Sequence, residues 1–458
     1  MDGTSAGKDR REYLSGIRKG VIGLAWPAML EMTLHMSLWM VDTAMVGRLG
    51  AAALSATGLA GQVYWTVVFI VGSINAGTIA LVSRAYGASD YQEACGTAGE
   101  ALGLSFAGGF LTLIALRLIS AYGPRFIAMD AEVQALAQTY MNAMSWGAVP
   151  VTMTIVANSV MRSTGNTRTP LVIAAVSNGF NIATDWLLIF GNLGFPRLEV
   201  RGAAVASAAA QFLGAVLALW AVRTANGALS FKPTPPTRWR RSKLRHLVAL
   251  SVPAAVEVML MDGARSAQML IMAALGRTQF AAHQIAVTCE SLSFMPGYGF
   301  AIASSVLVGQ CLGARQPRKA LDTAMQCLAL AAGTMGAVGV FFVAVPVHLT
   351  RLFTPDASVV AQAASVLRLA GLFQPFIAAN DTLAGALRGA GDTRSPMFVT
   401  AIGAWCIRIP LTYLVVRKMG LPLMAVWVIN GLEWMVRAFI IGMIFQSGRW
   451  LALRGPHS

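Results

Sequence analysis

Residues 162–170, RSTGNTRTP, return as 388–396, RGAGDTRSP, and that recurrence decides the fold. The two stretches lie 226 residues apart. The same shift carries Pro27 to Pro253, Glu31 to Glu257, Leu49-Gly50 to Leu275-Gly276 and Gly87-Ala88 to Gly313-Ala314. It also carries Arg125 to Arg351 and Asp130 to Asp356. A register kept over about 140 residues without a slip marks a chain built from two copies of one unit.

What each unit is made of follows from composition. Of 458 residues, 56% are hydrophobic and 12% charged, against about 25% charged in soluble domains. Such a chain cannot cover its surface with polar groups, so it spans a membrane repeatedly. A bilayer core needs about 20 apolar residues per helix. Breaks at Gly, Pro and charge clusters predict twelve spans: 20–46, 53–82, 94–119, 133–161, 169–191, 202–222, 247–274, 280–309, 321–346, 358–386, 396–416 and 422–446. Each half holds six, an even number, so both halves enter from the same side and form a parallel repeat. The expected fold is an all-α integral membrane protein of two six-helix lobes. The N-lobe covers 20–222 and the C-lobe 247–446, with a basic loop at 223–246 and tails at 1–19 and 447–458.

Twenty-two of the 35 lysines and arginines, Arg162 and Arg388 among them, are assigned to the loops and tails of one side, and nine to the other. The positive-inside rule then places both termini in the cytoplasm. The stretch KPTPPTRWRRSKLR (232–245) belongs to the inter-lobe loop and suits anionic lipid better than nucleic acid. The five cysteines show no CxxC or Cys/His spacing, so buried free thiols are expected rather than disulfides or zinc. No small-residue cleavage site follows the first apolar run, so no removable signal peptide is expected.

An ionised carboxylate near mid-bilayer costs about 2.5–3.5 kcal/mol on insertion scales, and HMSLWMVDTAMVGRLG (35–50) keeps one, Asp42. Glu31, His35 and Asp42 fall within about 40° of one another on a helix, next to Met32 and Trp39. This face is read either as a titratable site or as a hydrogen-bonded structural cluster. On span five, Asn178, Asn181 and Asp185 also share one face. Their oxygens suit Na⁺ or a carboxyl whose proton comes and goes; the alternative is an interhelical clamp of the kind Asn makes in membranes. Trp39, Tyr64, Trp65 and Met32 are candidates for a cavity wall, where aromatic faces attract cations and Met adapts to varied shapes. The repeat turns Asp42 into Gln268 and Asp185 into Leu411, so the C-terminal half lacks both acids. Asp262/Arg265 and Glu433/Arg437 are spaced to pair along one helix, and Arg408 and Arg368 are assigned to Asp381 or Glu290.

The chain resembles the multidrug and toxic compound extrusion (MATE) family of antiporters. MVDTAMVGRLG (40–50), RSTGNTRTP, SNGFNIATD (177–185), RGAAVAS (201–207) and LRGAGDTRSP (387–396) carry the resemblance, which runs from about residue 18 to 446. It implies export of small cationic amphipathic compounds in exchange for H⁺ or Na⁺, with no cofactor beyond the coupling ion, across the cell (inner) membrane. It also implies that Asp42 is the family's intramembrane aspartate and that Asn181 and Asp185 fall on its N-lobe cation site. Ser207 stands where that site commonly has threonine. By the same resemblance Glu257, on the face of Gln268, belongs to a secondary C-lobe cation site, and Pro27 lets span one bend. A monomer is expected, with membrane lipid around it.

The mechanism expected is alternating access. A carboxyl group protonates from the more acidic outside and releases its cation, and the proton leaves after the cavity turns inward. A lipid-linked oligosaccharide flippase would need a cavity lined with Arg and Lys. An intramembrane metalloenzyme built on Glu31/His35 would need a second ligand pair. A scaffold or channel would show no coupling to a gradient.

Overall fold

The computed structural model describes residues 3–123, 130–224 and 239–452. Most of the basic inter-lobe stretch, residues 225–238, therefore lies outside the described residues, as does Arg125. Among the described residues, eleven helices are long and apolar enough to cross a membrane. They are Arg10–Gly47, Ala51–Gly87, Tyr91–Tyr122, Arg168–Phe190, Glu199–Thr224, Arg241–Leu275, Arg277–Gly313, Pro317–Ala344, Ala357–Gly389, Arg394–Lys418 and Leu423–Gln446. The twelfth crossing is the predicted span 133–161, which is not one helix. It runs as Ala131–Met144, a single 3₁₀ turn at Ser145–Gly147, then Ala148–Ser163. The break divides it into two helices too short to count alone.

For the site, six elements need labels: α1 (Gly3–Gly47), α2 (Ala51–Gly72), α3 (Ala148–Ser163), α4 (Arg168–Phe190), α5 (Glu199–Thr224) and α6 (Arg241–Met272). In the second half, α7 is Arg277–Gly313, α8 Pro317–Ala344, α9 Ala357–Gly389 and α10 Leu423–Gln446.

The repeat is visible in the backbone itself. Positive φ values recur at the 226-residue offset: Gly50 (116°) with Gly276 (87°), Gly165 (90°) with Gly391 (93°), and Ser89 with Arg315, both at 58°. The loops after α3 and α9 are closed by equivalent caps. Asn166 Oδ1 accepts from the Thr169 N–H and Asp392 Oδ1 from the Ser395 N–H, each at 3.0 Å. This is why the motif must recur: glycine supplies the left-handed residue, and Asn or Asp starts the next helix.

The chain forms two compact units, Leu30–Ala255 and Met1–Met29 with Val256–Ser458. In the second, α9 is the central helix and small residues allow its close contacts. A Cβ on Gly385 would sit 2.4 Å from the Ala301 carbonyl oxygen, and one on Gly389 2.0 Å from that of Ser305, both on α7. On its other side Gly371 meets Gly339 of α8, each Cβ falling 2.5 Å or less from the other's carbonyl oxygen.

The crossing Arg394–Lys418 departs from α geometry at Ile402–Arg408 and Leu414–Lys418, which are π-helical on either side of Ile409–Tyr413. Pro410 lacks the N–H that the regular ladder needs, and single π turns are the usual accommodation. Its counterpart α4 is unbroken α-helix.

Candidate functional site

Within the unit Leu30–Ala255, four helix faces and the 131–163 crossing enclose a cavity of about 520 Å³. From α1 come His35, Trp39, Asp42 and Val46, one helical stripe. From α2 come Thr57, Gly61 and Trp65; from α4, Ala174, Asn178 and Asn181; from α5, Ser207, Gln211 and Gly214. Small residues in the α5 stripe leave the space that the larger groups border. None of the described lining residues is Lys or Arg.

The Asp42 and Asp185 carboxyls face each other within hydrogen-bonding reach. Oδ1 of each is buried and otherwise without a partner. Asn181 donates from Nδ2 to Asp185 Oδ2 at 3.1 Å. Two carboxylates side by side repel, so such a pair holds a proton between its oxygens. Without that proton it is a strong attractor for a cation. Tyr140, half-buried on the cavity wall, lies beside both acids.

Other candidates are placed differently. Asn178 donates to the Leu34 carbonyl of α1 at 2.9 Å, the clamp between helices that its residue type allows. Tyr64 is fully buried behind the wall, its hydroxyl donating to Gln211 Oε1 at 2.7 Å, and Met32 also lies off the cavity wall. Trp65 lines the cavity and stacks on Phe69 with centroids 5.4 Å apart. Tyr64→Phe should leave the Gln211 amide without this partner and cost about 1–3 kcal/mol, read as a lower melting temperature in detergent.

Glu31 is 1% exposed and is removed from the cavity by an ion pair with Arg162, at 2.6 Å, and by Asn158 Nδ2 at 3.5 Å. Arg162, assigned to a cytoplasmic loop from sequence, is instead in the last turn of α3 and buried, its side chain running inward. Glu257 repeats the arrangement: Arg388 Nη2 lies 2.7 Å from its Oε1, and Thr400 donates to the same oxygen at 3.2 Å. Gln268, the counterpart of Asp42, donates to Asn430 at 2.8 Å.

Arg408 pairs with Glu433 at 2.6 Å, not with Asp381 or Glu290 as the sequence suggested. Arg437 joins the same carboxylate at 3.3 Å and donates to Thr400 at 2.6 Å. The spacing rule found the Glu433/Arg437 pair, whereas the second arginine arrives across helices from a π turn. Asp262 and Arg265 approach only to 3.9 Å. Asp381 accepts from Asn380 at 3.0 Å. Tyr140 and Gln211 were not singled out from sequence. Gln211 was findable, since it follows Ser207 by one turn; Tyr140 carries no pattern of its own.

Repeated six-helix halves, one enclosing an acid-bearing cavity, place the chain in the class of internal-repeat membrane transporters. The MatE family model matches residues 27–187 and again 253–414, the repeat read independently. The chain belongs to the MATE family of transporters. It is 30% identical to a protein of Thermotoga maritima named probable multidrug resistance protein NorM, over 96% of this chain and 94% of that one. A protein of the same name from Bradyrhizobium diazoefficiens is 29% identical over 94% and 93%. Among solved structures, a multidrug resistance MATE family transporter in an outward-facing conformation superposes with a TM-score of 0.88 at 21% identity, covering 96% of this chain and 97% of that one. A MOP superfamily transporter from Pyrococcus furiosus, described as having a binding pocket of reversed polarity, gives 0.88 at 20%, with the same coverage. At these identities the structures establish the shared fold.

Proposed function

We propose that the protein is a secondary active exporter of organic cations that exchanges them for protons at the Asp42–Asp185 pair. The observation that carries this reading is the pair itself, two carboxyls in hydrogen-bonding reach at a cavity without basic residues. The aromatic faces of Trp39 and Trp65 on the cavity wall suit flat cations. The names of the Thermotoga and Bradyrhizobium relatives agree with multidrug export.

The cycle runs as follows. With the cavity open outward, a proton from the more acidic side settles between the two carboxyls and the cation loses its counter-charge and leaves. The neutral cavity then closes and reopens to the cytoplasm, where the proton departs and the next cation binds. Both termini lie in the cytoplasm on this reading, in the cell inner membrane, and the unit of function is a monomer. A flippase for anionic lipid-linked sugars is disfavoured by the absence of Lys and Arg among the described lining residues.

Ethidium flux from vesicles under a pH gradient alone, a sodium gradient alone and no gradient tests the reading. Flux driven by pH alone is expected; flux driven only by sodium would reassign the ion, and flux indifferent to both would refute exchange. Trp39→Ala and Trp65→Ala should each weaken ethidium binding by about two- to thirtyfold, measured by fluorescence titration.

A further inference from the structure

The cavity wall carries one titratable side chain that the exchange cycle leaves unused. Among the described lining residues the titratable groups are His35, Asp42 and Tyr140. A tyrosine ionises near pH 10 and a free imidazole near 6.5, so His35 is the one able to gain a positive charge at ordinary pH. It lies seven residues before Asp42, which on a helix is about 10 Å along the axis and nearly the same direction. A histidine kept for packing is buried with its ring nitrogens hydrogen-bonded. His35 is instead exposed on the wall, and its ring makes no hydrogen bond to the described residues.

The charges around His35 decide what a proton on it would do. On α1 itself Glu31 lies one turn earlier, and from α3 Arg162 reaches the same place. These two are tied at 2.6 Å and cancel. From α4 come the neutral Asn178 and Asn181, with Asp185 beside Asp42, and α2 and α5 bring no described charged residue to the wall. The imidazole therefore has a neutral ion pair on one side and the carboxyl pair on the other. Asn158 supplies the second observation. Its Nδ2 goes to Glu31 at 3.5 Å, which leaves Oδ1 buried and without a partner at this end of the cavity. A neutral imidazole offers one N–H donor and an imidazolium two, so a spare acceptor suits the charged ring.

We propose that His35 is a second proton-binding group of the cavity, linked to the cationic cargo through its charge. A proton on the carboxyl pair removes a negative charge from beside the cation; a proton on His35 adds a positive one to the same space. Either weakens the hold on the cation, and by reciprocity a bound cation drives protons off both. A unit charge about 10 Å away changes affinity by about three- to tenfold at the effective dielectric of a protein. The sign is fixed: a neutral His35 leaves the affinity intact, and affinity is lost as pH falls through the range where the ring charges. His35 thus sharpens release on the more acidic side, while near neutral pH the carboxyl pair alone sets the proton count. The assignment rests on the cation-export reading.

The test is His35→Gln, since glutamine keeps the hydrogen bonding and cannot charge; His35→Asn replaces it if the glutamine variant does not fold. Tetraphenylphosphonium binding to the full chain in detergent, followed by calorimetry from about pH 5 to 8, gives the protons released per cation as the slope of log Kd against pH. In the parent that slope should steepen from about one near neutral pH to about one and a half on the acid side, and in His35→Gln it should stay at about one. Near pH 5.5 the variant should bind about three- to tenfold more tightly than the parent, with the difference gone by about pH 8. The imidazole carbon resonance that His35→Gln removes from the spectrum should titrate in the free parent, and the bound cation should displace that titration to lower pH. Equal slopes in parent and variant would overturn the proposal, as would a titration that the cation leaves in place. Asp42→Asn separates the two readings, since its remaining slope should be that of His35 alone and confined to acid pH. A full parental slope in Asp42→Asn that only His35→Gln removes would refute the carboxyl pair and leave His35 standing.

Discussion

Asp42→Asn should insert, fold and bind to detergent columns like the parent, yet lose pH-driven ethidium exchange by about a hundredfold or more. The amide keeps the size of the carboxyl and its ability to hydrogen-bond Asp185, so packing in the cavity wall is preserved. What it cannot do is ionise. With a permanent neutral partner, Asp185 no longer has a neighbour whose charge state changes when a cation arrives, and the driving gradient has nothing to act on. Downhill leakage through the cavity is expected to persist, which separates lost coupling from lost access. The comparison of exchange with leak in the same vesicles is the check. Parental exchange in Asp42→Asn would remove the carboxyl pair from the mechanism.

The second large effect is structural. Gly389→Leu should abolish recovery of folded protein, because the first added carbon alone would lie 2.0 Å from the Ser305 carbonyl oxygen of α7. Backbone stands on the other side of the contact, so no rotamer relieves it, and α9 would have to move away from α7. Over-packing of a core usually costs about 1–3 kcal/mol where side chains can shift. Here the cost is higher, against a total stability of about 5–15 kcal/mol. Gly385, one turn earlier, makes the same close approach to Ala301, so displacement at one position strains the other. Gly442→Ala on α10 is the control, since its Cβ would meet nothing within 4 Å; it should be neutral or gain about 0.5–1 kcal/mol from helix propensity. Gel filtration and thermal melting of the two variants side by side give the answer.

The fold was largely legible because a bilayer and a repeat both impose coarse, long-range rules. Apolar length marks the spans, and a constant offset marks the halves, whatever the local detail. Detail failed where local chemistry intervened. The fourth crossing breaks at Ser145–Gly147, and the eleventh takes π geometry around Pro410, neither of which alters the apolar count.

Helical spacing grouped Glu31, His35 and Asp42 correctly on one face, and Asn181 with Asp185. It did not reveal that Glu31 is consumed by Arg162, since an arginine at the end of a span reads as a loop residue until its side chain is seen to run inward. A signal was present: both members of the pair obey the repeat. Spacing along a single helix says nothing of which other helix lies opposite. For that reason Asp42 could not be matched to Asp185, nor Arg408 to Glu433, nor Tyr140 placed beside the acids.

The most direct test of the account is a count of protons. Tetraphenylphosphonium added to the purified protein in unbuffered detergent solution, near neutral pH, should release about one proton for each cation bound. Asp42→Asn and Asp185→Asn should release none. Cation binding by the parent with no proton released would contradict the claim that the two aspartates trade a proton for cargo.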